Sequence, residues 1–458
     1  METPDSHTDS GLAALYTRLR GSTAARDGLY VLAAQGTATA IALGMEILLF
    51  RNLLVAERGM LTAALELRNV LLCVADVGLA LTTVRVGAEY FGKGLHNEAN
   101  AVFRRAFLTR AALAALVVAL TCLLAPALVR FPLAAGNRPG LVLAAAAALL
   151  GMTATAWGVD VSQATRGFGR YFLHQVVEAA LKAAAVIVVF LAASGSLFGK
   201  TVVVLHAEIV LWVMAAGAIL AGLFSVMLQR SNLRKPGPMA AATRDELYAQ
   251  LRTFGRVAGA VVLLQAIGGR VEVFLVQWQL GPVDTAVFDG ARRLALVLPL
   301  LGGALTTVLL PRVAVLDSPA ACAAYAKKAV LICVPLALVA GAALAAVAGF
   351  IVPLLWGGRY EASITPLRWL CVAHAFSIVL APLTLVFFPL RRERTFLLLQ
   401  AASVVLSIGL GVVLIPRFGP LGAAWSTLVS RAAIVLVCGW VLCVILRDRG
   451  APRPENAQ

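Results

Sequence analysis

Residues Gly281–Arg312 read GPVDTAVFDGARRLALVLPLLGGALTTVLLPR. The stretch is long and apolar enough to cross a bilayer, which takes about 20 residues. It nonetheless carries Asp289, Arg292 and Arg293. A charge at membrane depth costs about 2.5–3.5 kcal/mol on insertion scales, so such residues usually face a cavity and act there. Residues Met60–Val84 read MLTAALELRNVLLCVADVGLALTTV. Both stretches contain Thr-Ala and reach Ala-Leu-Thr-Thr-Val. Arg68 and Arg292 lie 224 positions apart, as do Thr82 and Thr306. That offset is close to half of the 458 residues, which predicts a duplicated membrane protein with one intramembrane arginine at the same place in each half.

Working outward, the composition agrees. Hydrophobic residues are 60% and charged residues 14%, against roughly 45–50% and 25% in soluble domains. Mean hydropathy is +0.88. This predicts an all-α polytopic membrane protein of about twelve transmembrane helices. The spans expected are 28–50, 60–90, 103–128, 140–165, 171–191 and 202–228, then 253–280, 287–316, 325–355, 364–388, 396–415 and 421–446.

The net charge of +16 would suggest nucleic acid in a soluble protein. Here it follows from Lys and Arg concentrated in alternate loops, such as Lys93, Arg104 and Arg105, or Arg230, Arg234 and Lys235. By the positive-inside rule those loops and both termini are cytoplasmic. Arg51, Arg58, Arg130, Arg138 and Arg359 fall in the opposite, sparsely charged set. The first apolar segment is too long for a signal core and reads as an uncleaved start-transfer helix. The basic, proline-bearing stretch 229–252 reads as a cytoplasmic linker. The expected organisation is a cytoplasmic segment 1–27, an N-lobe 28–228, the linker 229–252, a C-lobe 253–446 and a cytoplasmic tail 447–458. Two six-helix lobes starting on one side form a parallel repeat. The outer loops are short, which argues against a membrane polymerase or ligase.

Three stretches resemble one family. Residues 76–94, DVGLALTTVRVGAEYFGKG, resemble the end of the second helix in bacterial polysaccharide biosynthesis flippases. Residues 280–312 are similar to that family's helix after a Leu-Gly-Pro turn, and 414–428, LIPRFGPLGAAWSTL, to its Ile-Pro turn near the C-terminus. The superfamily also holds multidrug exporters and lipid II flippases. The resemblance implies that an undecaprenyl-pyrophosphate-linked oligosaccharide moves from the cytoplasmic to the outer leaflet of the bacterial inner membrane, for O-antigen, capsule or exopolysaccharide. It further implies two six-helix lobes around a central cavity. The partners implied are that lipid-linked substrate, membrane lipids, a polysaccharide polymerase, and a proton or sodium ion. This chain departs from the family pattern at Arg292, where an apolar or aromatic residue is common.

Several intramembrane charges have a bland explanation. Arg85 with Glu89, Glu178 with Lys182 and Asp289 with Arg293 stand four apart, where side chains on one helix face neutralise each other. Asp160, Arg104, Arg105 and Arg110 lie near expected cytoplasmic ends, where long side chains reach water. Arg68, Arg270 and Arg292 remain. At about 1.5 Å per residue they lie roughly 12, 15 and 8 Å in from the outer ends of their expected helices. Arginine binds phosphate through bidentate charged hydrogen bonds, so these three are the candidate pyrophosphate ligands. The competing reading pairs them with Glu66, Asp76 or Glu272. Asp76 and Glu272 are the candidates for ion coupling. Asn69, Asp76 and Thr83 recur every seven residues, as do Gln265, Glu272 and Gln279, and each set is expected to line one helix side. No cysteine pair, histidine cluster or nucleophile constellation is apparent in the sequence. No cofactor, metal, nucleic acid or covalent chemistry is expected. The alternatives to a flippase are an ion-coupled drug exporter of the same superfamily and, further off, a polymerase or ligase.

Overall fold

The computed structural model describes residues 23–131, 133, 138–193, 205–234, 237, 259, 263–264, 266–302, 313, 319–387 and 393–450. Among these the secondary structure is helical throughout, without strands. In chain order the helices are α1 (Thr23–Asn52), α2 (Val55–Asp76), α3 (Leu79–Gly92), α4 (His96–Leu123), α5 (Ala125–Arg130), α6 (Pro139–Ala164), α7 (Phe168–Ala193) and α8 (Ala207–Leu228). There follow α9 (Val271–Leu280), α10 (Pro282–Ala295), α11 (Pro319–Trp356), α12 (Ile364–Leu385), α13 (Glu393–Phe418) and α14 (Pro420–Gly450). Nine of the described helices are long and apolar enough to span a membrane, and the bent pair α2–α3 makes a tenth. The chain is an all-α polytopic membrane protein. Ten of the twelve expected spans are matched in this way. The other two are described only as α9 and α10. Gln265, Thr306 and most of 229–252 lie outside the described residues.

A lipid solvent offers the backbone no hydrogen bonds, so the helix, which satisfies its own, is the available answer. Large apolar side chains accordingly point outward: Leu29 on α1, Phe350 on α11 and Trp440 on α14 are each about 70% exposed. Close helix contact relies on glycine, as in membrane bundles generally. A Cβ on Gly151 of α6 would lie 2.2 Å from the Ala218 carbonyl oxygen on α8, and one on Gly222 would lie 2.6 Å from the Gly151 oxygen.

The expected span 60–90 is not straight. It bends by 44° between α2 and α3. Val77 has φ 41° and Gly78 φ 74°, and a β-branched residue in that left-handed region is strained. Asp76 stands at the break, and its Oδ2 accepts from the Ala80 amide (3.4 Å) at the start of α3. Asn69, Asp76 and Thr83 therefore do not share one helix side. Asn69 turns to Glu66, Asp76 to Arg110, and Thr83 to the Leu79 carbonyl.

The chain packs into two compact units, the second of which draws on both halves of the sequence. One comprises 1–46, 71–123 and 143–260, the other 47–70, 124–142 and 261–458. In the second unit, Phe50 stacks on Trp356 (centroids 4.2 Å) and meets Tyr360 edge-on. Trp356 Nε1 donates to the Gly290 carbonyl (3.1 Å), and Ser363 Oγ to that of Val287 (2.7 Å). These contacts fix α10, the helix that carries Asp289, Arg292 and Arg293.

Candidate functional site

Helix α2 begins at Val55, five residues before the expected start, so Glu57 and Arg58 are helical rather than loop residues. Arg58, Thr62 and Glu66 then fall at i, i+4 and i+8, a polar stripe on one face. All three are buried, Arg58 and Thr62 at 0% exposure. The stripe meets α10 in the second unit. Asp289, also at 0%, accepts from Thr62 Oγ1 (2.9 Å), Arg58 Nη2 (3.2 Å), Arg292 Nη2 (3.1 Å) and Arg293 Nε (2.6 Å). The expected Asp289–Arg293 pair exists, but it is one spoke of a larger wheel. Arg58 also lies over the Phe50 ring at 4.1 Å, which gives part of a guanidinium a favourable apolar neighbour.

Glu66 is the second hub. Arg292 Nη2 donates to its Oε1, and Arg270 Nε pairs with its Oε2 at 3.0 Å. Asn69 Nδ2 reaches Oε2 at 3.4 Å, and Arg68 Nη2 donates to Asn69 Oδ1 at 3.2 Å. Arg270 and Arg292 thus meet on Glu66, one of the carboxylates that the competing reading paired them with, and Arg68 joins through Asn69. Within the set Arg58, Arg270, Arg292, Arg293, Glu66 and Asp289, each arginine pairs with one or both of the two carboxylates. Arg270 caps the start of α9 and also donates to the Ala266 carbonyl (2.8 Å). With the observed helix starts, Arg68 and Arg292 lie about 20 and 15 Å along their helices, deeper than the sequence suggested.

Asp76 and Glu272 are not part of this cluster. Glu272 is buried and accepts from Ser407 Oγ (2.7 Å). It lines a cavity of about 220 Å³ with Ser403, Ser430 and Arg431. Asp76 belongs to the first unit. There Arg110, 1% exposed, donates through Nη2 to Asp76 Oδ1 and to Asp160 Oδ2, the latter at 2.8 Å. Arg110 does not reach water from a helix end; burial between two carboxylates neutralises it instead. A cavity of about 80 Å³ lies beside it, lined by Arg110, Phe107 and Thr153. At about 30 Å³ per water this has room for two or three.

Of the remaining expected pairs, Lys182 and Glu178 stand at 2.7 Å, while Glu89 pairs with Lys93 at 2.6 Å. Arg138 holds Glu57 through Nη1 at 2.8 and 2.9 Å. Arg58, Arg110 and Arg431 were missed as site residues by sequence reasoning. The readable signals were the 58/62/66 spacing and the polar run Ser426, Thr427, Ser430 and Arg431 inside an apolar helix.

No sequence-family model matches the chain, and no curated protein matches it. Solved structures do. An inward-facing multidrug resistance MATE-family transporter of the MOP superfamily superposes with a TM-score of 0.64 at 14% identity, over 90% of this chain and 96% of the other. The lipid II flippase MurJ, in an inward closed conformation, gives 0.64 at 13%, over 92% and 89%. A MOP-superfamily transporter from Pyrococcus furiosus gives 0.55 at 14%, over 90% and 96%; reverse polarity of its binding pocket is said to suggest a different function. The chain shares the fold of MOP-superfamily transporters. At these identities the likeness speaks to fold, and what is carried has to be argued from the site.

Proposed function

We propose that the protein is a flippase that carries an undecaprenyl-pyrophosphate-linked oligosaccharide from the cytoplasmic to the outer leaflet of a bacterial inner membrane, by alternating access, for surface polysaccharide assembly. The observation that carries this reading is the meeting of Arg270 and Arg292 on Glu66, with Arg68 joined to it through Asn69, within apolar helices. A guanidinium has five N–H donors. Glu66 and Asp289 share Arg292 Nη2, and Arg292 Nε is buried without a hydrogen-bond partner among the described residues. The balance of charge in the cluster also orders the alternatives. A cationic drug favours a site dominated by carboxylates, and here arginines outnumber them.

Asp76 is our candidate for coupling to a proton or sodium gradient. It shares one buried arginine with Asp160 and sits at the α2–α3 break, where it also caps α3. One guanidinium between two carboxylates leaves a place for one more positive charge. Taking it up would loosen the hold of Arg110 on the bend.

In cells with no second flippase, Arg68→Ala and Arg292→Ala are each expected to lower the appearance of labelled repeat units at the outer leaflet at least about tenfold, the worth of one charge-assisted contact. Display is normalised to the amount of each variant in the membrane, because Arg292→Ala also removes a partner of the buried Glu66 and Asp289. Unchanged display in both variants would sink the site assignment, and unchanged display on deleting the protein would sink the flippase reading. Drug resistance that follows expression while display stays constant would put the exporter first.

A further inference from the structure

The cavity around Glu272 is built differently from the arginine cluster. Its walls are Leu264, Gly268 and Gly269 before α9, Glu272 on α9, Gln400, Ser403, Val404 and Ser407 on α13, and Ser430 with Arg431 on α14. Residues 400, 403 and 407 share one face of α13 by their spacing. A Cβ on Gly268 would meet Val404 Cγ2 at 2.6 Å. Glycine there lets this end of α9 approach α13, while serines keep the opposite walls short. Ser407 Oγ donates to Glu272 Oε1 (2.7 Å), which orients the carboxylate and leaves Oε2 for another donor. Arg431 shares the cavity without an ion pair within 4 Å among the described residues.

The chemistry of these walls disfavours a bare ion of either sign. A bare cation at Glu272 would share the space with the Arg431 guanidinium, and a bare anion at Arg431 would share it with the Glu272 carboxylate. A neutral ligand that donates at one point and accepts at a neighbouring one satisfies both. Adjacent hydroxyls of a sugar ring do this; Ser407 and Ser430, whose protons go to Glu272 and the Ser426 carbonyl, offer acceptor oxygens, and Ser403 and Gln400 can donate or accept as the remaining hydroxyls require. At about 30 Å³ per water, the cavity corresponds to about seven waters, comparable with one monosaccharide. It also adjoins the arginine cluster. Gly269, which lines it, accepts from Arg292 Nη1 (3.4 Å), and Arg270 follows directly in the chain.

We infer that the cavity between Glu272 and Arg431 receives the single sugar residue attached to the pyrophosphate, and that it selects a neutral sugar with neighbouring hydroxyls. The inference rests on the flippase reading, in which Arg292 and its neighbours hold the pyrophosphate. It gives Glu272 a substrate contact instead of a part in ion coupling.

The test is calorimetric binding to the full-length protein in nanodiscs. The probes are farnesyl pyrophosphate and farnesyl-pyrophosphoryl glucose, galactose, N-acetylglucosamine and glucuronate. At least one neutral sugar is expected to bind about tenfold more tightly than farnesyl pyrophosphate, the worth of one or two net hydrogen bonds. Glu272→Gln, and Ser403→Phe by filling the space, should each abolish that gain and leave farnesyl pyrophosphate binding within about twofold, with unchanged melting confirming the fold. Arg431→Lys should weaken the gain without reversing it. The inference is overturned if no sugar improves on farnesyl pyrophosphate, if glucuronate is preferred, or if the gain survives both Glu272→Gln and Ser403→Phe. Arg292→Ala separates the two claims. It should weaken every probe; if it changes none while the sugar gain persists, the pyrophosphate site fails and the sugar pocket stands.

Discussion

Replacing Asp289 with alanine tests whether the membrane charges form one structural unit. Asp289 is wholly buried and takes Thr62, Arg58, Arg292 and Arg293 on its two oxygens at 2.6–3.2 Å. Arg292 retains Glu66 when Asp289 is lost. Arg58 also holds the Thr62 hydroxyl (2.7 Å) and lies over the Phe50 face. Removing one partner of a buried ion pair costs about 3–5 kcal/mol, because a desolvated charge is left behind. At roughly 2–4 °C per kcal/mol for a unit of about 200 residues, the melting temperature should fall by about 6–20 °C. The assay is thermal unfolding of the purified full-length protein in detergent, followed by intrinsic tryptophan fluorescence. Trp356 is well placed to report, since it bonds the backbone of Gly290 next to the substituted residue. Asp289→Asn keeps an acceptor and should lose less. Combining it with Arg293→Gln should cost less than the sum of the two single changes, because one removes the charge the other leaves unbalanced. A wild-type melting temperature, within about 2 °C, for Asp289→Ala would mean that the pairs contribute under about 1 kcal/mol and that the wheel is incidental.

In the first unit, Arg110→Leu leaves Asp76 and Asp160 facing each other with little exposure. The expected loss is about 3–5 kcal/mol, with most of it recovered in the triple variant that also carries Asp76→Asn and Asp160→Asn; equal melting of single and triple variants would refute the triad. Gly151→Ala places a methyl 2.2 Å from a backbone oxygen of α8 and should cost about 1–3 kcal/mol by overpacking. Gly36→Ala in α1 meets nothing within 4 Å and should be neutral or stabilising by about 0.5–1 kcal/mol; the reverse order in thermal melts would contradict the packing.

The fold was legible because lipid simplifies it. Long apolar segments have one backbone solution, and their number and approximate position follow from composition. Helix α10 was recognisable from an Asp and two arginines in an apolar stretch, and the structure pairs Arg270 and Arg292 with Glu66 and links Arg68 through Asn69. Partners were less legible, because buried ion pairs join residues far apart in the chain. Arg58 and Asp289 are 231 positions apart, and Arg292 and Glu66 are 226. Read alone, Arg58 beside Glu57 resembles a loop, and Arg110 near a helix end resembles a residue reaching for water. Only the partner shows that each is buried. The bend at Val77–Gly78 was hidden for a related reason: valine gives no warning of a positive φ, and the one signal was the glycine after it.

Carboxylates beside the arginines do not argue against an anionic substrate. Two guanidinium groups about 4 Å apart repel by about 4 kcal/mol at an effective dielectric constant of 20. Arginines gathered for a pyrophosphate must therefore be held together while the site is empty. Glu66 does this by pairing with Arg270 on one oxygen and Arg292 on the other. A pyrophosphate has more charge and more acceptor oxygens than one carboxylate, so it can take over donors that Glu66 engages singly. The first unit reverses the proportions, with one arginine between Asp76 and Asp160. An excess of arginines suits an anion and an excess of carboxylates suits a cation. Within one fold, that difference is what separates the residues proposed to hold the substrate from those proposed to couple its movement to an ion gradient.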